Sequence, residues 1–179
     1  MRKWKVSRCT YIYNKYVTPF STSVRKIANT MGYQKELSRE LLRQVCNWVR
    51  KNIKLLKVTR PGEQNIPLFP RDVLKERKST CLGRAILFTS IVRAMGVNEK
   101  EIFTIISIHR KGKVPNSVHS YCIAETKSGN RNIINCRMDE EIFIVSLTRG
   151  IVYPILIERL IRTNSVPIIF NDKISLISE

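Results

Sequence analysis

The sequence predicts an α+β domain in which N-terminal helices pack on an antiparallel sheet, and three observations predict it. From Ser21 to Val97 the apolar residues recur mostly at helical spacing. After Glu101 the period shortens towards two, in EIFTIISIH, VHSYCIAET and RNIINC, segments rich in Ile, Val and Tyr. The joints between them, RKGKVPNS and KSGN, hold turn residues suited to antiparallel neighbours. Helices first and a sheet afterwards is the order of an α+β chain.

Residues 1–20 mix basic and aromatic side chains and read as a short strand or an arm laid on the domain. From Ser21, the positions Val24, Ile27, Ala28 and Met31 give a short helix closed by Gly32. A longer helix starts at Gln34 or Ser38 and runs to about Lys57, with Leu37, Leu41, Leu42, Val45, Trp48, Val49 and Ile53 on one buried face. TRPGEQNIPLFP, residues 59–70, holds three prolines and a glycine and is expected to be an ordered loop. A short helix over Arg71–Arg77 then delivers the chain to KSTCLGRAILFTSIVRAMGV, the stretch that organises the rest. There Thr80 is an N-cap, Gly96 a C-terminal stop, and Leu82, Ala85, Ile86, Ser90, Arg93 and Ala94 keep helical spacing. Beyond the three strands, Glu141–Ser146 is a candidate strand and Ile151–Thr163 a candidate helix. Val166–Phe170 and Ile174–Ile177 form a terminal hairpin around Asn171-Asp172-Lys173.

The chain of 179 residues is one domain's worth, residues 1–179 with a core at about 37–136, and no repeat or long linker divides it. Its formal net charge of +18 admits a nucleic acid or another acidic partner, although the basic residues are scattered as solvated faces would have them. Five cysteines without a CxxC pair, beside only two histidines, argue against structural zinc. No metal or cofactor is expected. Cys46 and Cys122 fall on core faces and read as reduced core thiols. No apolar run reaches signal-peptide or membrane-span length, so the expectation is a soluble, cytoplasmic protein.

The chemistry starts at Cys81. It opens a helix whose first N–H groups lack intrahelical acceptors, and those donors with the positive end of the macrodipole stabilise a thiolate. A base is then required, and His119 stands on a predicted strand beside the one that carries Asn135. Alternate residues of neighbouring strands share a face, so His119 and Asn135 can lie side by side while the packed helix presents Cys81 to them. That is a nucleophile, a base and an orienting group. Asp139 is the fallback third member. The backbone N–H of Cys81, with the side chain of Gln64 or Asn65 in the preceding loop, are the candidate oxyanion donors. His109, beside Arg110, Lys111 and Lys113, reads as an exposed residue without a role.

Several of these segments resemble the transglutaminase-like superfamily. Thr80-Cys81-Leu82 with Ile91-Val92-Arg93-Ala94-Met95-Gly96-Val97 is similar to its nucleophile helix, which ends in an "LRAxGI"-type pattern. His119-Ser120-Tyr121-Cys122-Ile123-Ala124-Glu125 resembles the "HAWVE" histidine strand, with Tyr121 at the usual tryptophan. Asn135 stands where the strand after it usually carries an aspartate, and Ser79 where a glycine is common. The resemblance implies a papain-like α+β core, a Cys-His-Asp type triad and thiol-based acyl transfer. A neutral amide orients imidazole but stabilises imidazolium less than a carboxylate does.

The function expected from all this is hydrolysis of a peptide or amide through a thioester on Cys81, with a peptide or protein substrate. Amine transfer, as in protein cross-linking, is an alternative the residues leave open. Cys81-Leu82-Gly83-Arg84-Ala85 also resembles the cysteine motif of the leader peptidases that mature lasso peptides. A different class is a catalytically silent basic module that holds nucleic acid or an acidic partner.

Overall fold

A helix with apolar residues all round its circumference has to be covered all round. The Cys81–Ala94 helix, α5, meets that demand in the computed structural model, where every residue from Leu82 to Val92 is buried. The structure describes residues 4–5, 11–33, 36–56, 67–111, 114–125, 131–134, 145–147, 165–173 and 175–178. The Ile151–Thr163 helix expected from the sequence lies outside them.

On one side α5 is covered by three helices. Helix α2, Thr22–Met31, begins after Ser21 and stops at Gly32, whose φ of 86° suits a residue without Cβ. Helix α3, Arg39–Asn52, is capped by Ser38, whose hydroxyl accepts from Leu41 N at 3.1 Å. Glu40 in its first turn and Arg50 and Lys51 in its last complement the helix dipole. Helix α4, Pro70–Glu76, starts one residue before the expected position because proline at N1 needs no N–H partner. Val24, Ala28, Leu41, Leu42, Val45, Val49 and Val73 meet Leu87, Phe88, Ile91 and Val92 of α5 in one apolar cluster. Trp48 packs against it half-buried, as a core residue.

Helix α3 ends at Asn52, earlier than the apolar spacing through Ile53 and Leu56 suggests. Ile53 is extended, and Lys54–Leu55 leaves as strand β2, parallel to β3, Lys78–Ser79. Lys54 N donates to Arg77 O and Leu56 N to Ser79 O, each at 2.8 Å. Hydrogen bonds to a distant segment thus outcompete one more helical turn.

The other side of α5 faces the sheet. Its order is β1 (Trp4–Lys5), β9 (Ser175–Ser178), β8 (Ser165–Phe170), β4 (Ile102–Lys111), β5 (Val114–Glu125), β6 (Arg131–Ile134) and β7 (Val145–Leu147), and each neighbouring pair is antiparallel. The basic N-terminal arm therefore holds a strand, β1, and a one-turn helix, α1, Tyr11–Asn14. The RKGKVPNS joint is mostly strand: pairing continues to Lys111↔Val114, with an irregularity at His109/Arg110 where Pro115 enters the ladder. The terminal hairpin forms as expected, but β8 also pairs with β4, so the sheet runs through it. The sheet thus extends past the core boundary at residue 136.

Helix and sheet are also clasped by charge. Arg93, in the last turn of α5, donates from Nε to Asp172 Oδ1 at 2.6 Å and from Nη2 to Oδ2 at 3.1 Å, and Nη1 donates to Val97 O. Asp172 sits in the β8–β9 turn, where neighbouring Asn171 donates to Ile102 O at 3.0 Å and to Glu99 O. Both side chains of the pair are largely buried, at 10% and 6% exposure. Removing one partner of such a pair strands the other charge. Arg93→Ala or Asp172→Ala is expected to cost about 3 kcal/mol in urea unfolding. The double variant should cost less than the sum of the two.

Candidate active site

The run from Val73 to Cys81 sets the position of the Cys81 thiol. Arg77 closes α4 in the left-handed region, φ 54°, its N–H bonded to Val73 O. Lys78–Ser79 is held by β2, and Thr80 then turns the chain into α5, its hydroxyl accepting from Gly83 N at 3.4 Å and its carbonyl from Arg84 N at 3.0 Å. Cys81 is therefore the first residue of a capped and anchored helix. Its side chain is half-buried, whereas Cys46 and Cys122 are fully buried. The backbone N–H groups of Cys81 and Leu82 have no acceptor among the described residues, which makes Leu82 N–H a further candidate oxyanion donor.

Ser79 and Gly83 form a pair that sequence spacing does not announce. A Cβ on Gly83 would lie 1.9 Å from Ser79 Oγ and 3.2 Å from Ser79 Cβ. The missing side chain at 83 is what lets a serine occupy the position two before the cysteine. Ser79 is fully buried, and its hydroxyl has no hydrogen-bond partner among the described residues.

The sheet reaches α5 through small polar residues. Thr89 and Thr104 hydroxyls are 2.8 Å apart, Cys122 Sγ lies 3.4 Å from Ala85 O, and Thr104 Oγ1 lies 3.5 Å from the same carbonyl. Ile106, opposite Ser120, joins Leu82 and Ile86 in a second apolar cluster. Strand β5 therefore runs alongside α5 in the same direction, with Ser120 towards the helix start. His119 occupies the register position opposite Ser107, three strand residues before Cys122. That is about 10 Å along the strand. From the midpoint of Ala85 and Thr89 back to Cys81 is about 9 Å along the helix. The backbone of His119 thus stands level with the helix start.

The residues of β5 packed under α5 are Ser120, Cys122 and Ala124, all buried.

Strand β6 ends at Ile134, opposite Cys122. Asn135, Asp139, Gln64 and Asn65 lie outside the described residues. Among the described residues no group of three or more His, Cys, Asp or Glu is placed to hold a metal ion, and no helix is long and apolar enough to cross a membrane.

With this geometry in view, the comparisons with known proteins are direct. Residues 25–133, more than half of the chain, match the transglutaminase-like superfamily, and the chain belongs to that superfamily. Legionella pneumophila LapG is 13% identical, aligned over 94% of this chain and 87% of its own, with a TM-score of 0.58. The EGTA-treated form of LapG aligns over 76% and 74% at 14% identity and a TM-score of 0.50. A candidate cysteine protease from Cytophaga hutchinsonii is 15% identical over 74% of this chain, with a TM-score of 0.48, and this chain spans only 43% of its length. At such identities the LapG likeness shows the fold. No curated protein matches the chain.

The Ser79–Gly83 fit yields a test of the local packing. Gly83→Ala is expected to cost about 1–2 kcal/mol by overpacking. In a Ser79→Gly chain the same substitution should be neutral or stabilising by up to about 1 kcal/mol, the usual preference for alanine inside a helix. Denaturant unfolding of the four chains measures both.

Proposed function

We propose that this protein is a thiol enzyme that cleaves a peptide or amide bond through a thioester on Cys81. The observation that carries the reading is the position of that thiol. It is the half-buried first residue of a fully packed helix, in a chain of the transglutaminase-like superfamily, beside N–H groups free to meet an oxyanion. The Cys81 sulfur attacks the carbonyl carbon, and the C=O electron pair moves to the oxygen, held by the Cys81 and Leu82 N–H groups. As the C–N bond breaks, the leaving amine takes the proton that His119 received from the thiol. Water, deprotonated by the same imidazole, then releases the acid and restores the thiol. Asn135, or Asp139 in its place, orients the ring.

Hydrolysis is preferred over amine transfer because water is the abundant acceptor at a partly exposed thiol. Support for His119 as the base is its backbone level with the helix start.

Iodoacetamide is expected to modify Cys81 at neutral pH in the folded protein while Cys46 and Cys122, both at 0% exposure, stay unmodified. His119→Ala should slow the Cys81 reaction by about tenfold or more. Equal rates, read by mass spectrometry, would remove His119 from the mechanism.

A further inference from the structure

Beside the start of α5 lies a pocket of about 550 Å³ with Arg50, Lys51, Lys54, Arg77 and Arg84 in its wall and no carboxylate among its described lining residues. Arg84 is nearly completely buried and donates to Ile53 O at the end of α3. It follows Cys81 by one turn of the same helix. Lys54 belongs to β2, whose partner β3 leads through Thr80 straight into Cys81. The pocket is thus built on the backbone that positions the thiol.

Three of these charges, those of Lys51, Lys54 and Arg77, need an explanation. The carboxyl end of α3 contributes about half a negative charge through its dipole, which accounts for part of the pull on Lys51. Lys51, Lys54 and Arg77 have no acidic partner among the described residues. Arg77 is also the described non-glycine residue with positive φ, a conformation in which glycine or asparagine is the ordinary choice.

The geometry points to a subsite for the carboxylates of an acidic peptide segment, lying next to the bond that Cys81 cleaves; this rests on the reading of Cys81 as the nucleophile. Guanidinium groups take carboxylates two oxygens at a time, and exposed Arg77 offers one beside Lys51 and Lys54. A nucleic acid fits less well. Bases are held by stacking on aromatic rings, and none is among the described lining residues.

The test is fluorescence anisotropy with a fluorescein-labelled, Asp/Glu-rich peptide, on the full chain carrying Cys81→Ser so that no turnover occurs. Binding is expected to weaken about tenfold with Lys54→Glu and several-fold with Arg77→Gly. Glycine accepts a φ of 54° freely, so Arg77→Gly should not lower the melting temperature, and its loss of affinity cannot be assigned to unfolding. Lys26→Glu makes the same charge change on α2, away from the pocket, and should leave affinity within about twofold. The inference is overturned if the peptide does not bind or if Lys26→Glu weakens it as much as Lys54→Glu. It is equally overturned if a single-stranded oligonucleotide binds more tightly and is the ligand that Lys54→Glu releases. Failure of peptide binding while iodoacetamide still reacts with Cys81 leaves the thiol-enzyme reading intact. Loss of that reactivity with peptide binding retained removes the enzyme reading and leaves the acidic-peptide site.

Discussion

The complete burial of α5 is the constraint on which the rest depends. Phe88, Leu87, Ile86 and Ile91 are each at 0% exposure, so helices must close one side of α5 and the sheet the other. Full burial of a side chain of this size is worth about 1.5–3 kcal/mol, and α5 contributes several of them. A helix enclosed in this way can present reactive chemistry only at its ends. Its C-terminal end is taken by the Arg93–Asp172 clasp, and its N-terminal end is where the half-buried thiol sits.

Burial on all sides also forces polar side chains of α5 to find partners inside. Thr89 and Ser90 are fully buried. An unpaired buried hydroxyl costs about 1–3 kcal/mol. Thr89 meets Thr104 on β4, and Ser90 accepts from Thr18 N, which ties the N-terminal arm to the helix. These contacts also pin register. Sliding β4 by one residue would present Phe103 or Ile105 to Thr89 and leave its hydroxyl unpaired. The polar residues of an otherwise apolar interface thus fix where along α5 the strand β5, and with it His119, is placed.

Much of this was legible in the sequence because it is local. Thr80, Gly96, Ser38 and Gly32 mark helix ends through capping hydrogen bonds and positive φ, which a few neighbouring residues decide. The departures share a different cause. The early end of α3 at Asn52 and the insertion of β8 beside β4 both depend on hydrogen bonds between segments far apart in sequence. The fit of Ser79 into the space left by Gly83 is local by contrast: Ser79 Oγ lies 1.9 Å from where a Cβ would stand, and Val73, at 3.4 Å, is in ordinary contact. Asn135, Asp139, Gln64 and Asn65 lie outside the described residues.

The short parallel pair β2–β3 shows how such long-range bonds reach the chemistry. Two residues on each strand are too few to be stable alone, yet they join the end of α3 to the entry of α5. Arg77 O and Ser79 O accept from β2, so the backbone on both sides of Lys78 is fixed before the chain reaches Thr80. Thr80 then spends its hydroxyl and carbonyl on Gly83 N and Arg84 N. With those donors satisfied, the N–H groups of Cys81 and Leu82 are the ones left over at the helix start, directed away from the packed body of α5. The same arrangement places Lys54 and Arg77 on the pocket wall beside Arg84. A single hydrogen-bonded joint therefore positions both the thiol and the cations proposed to hold its substrate.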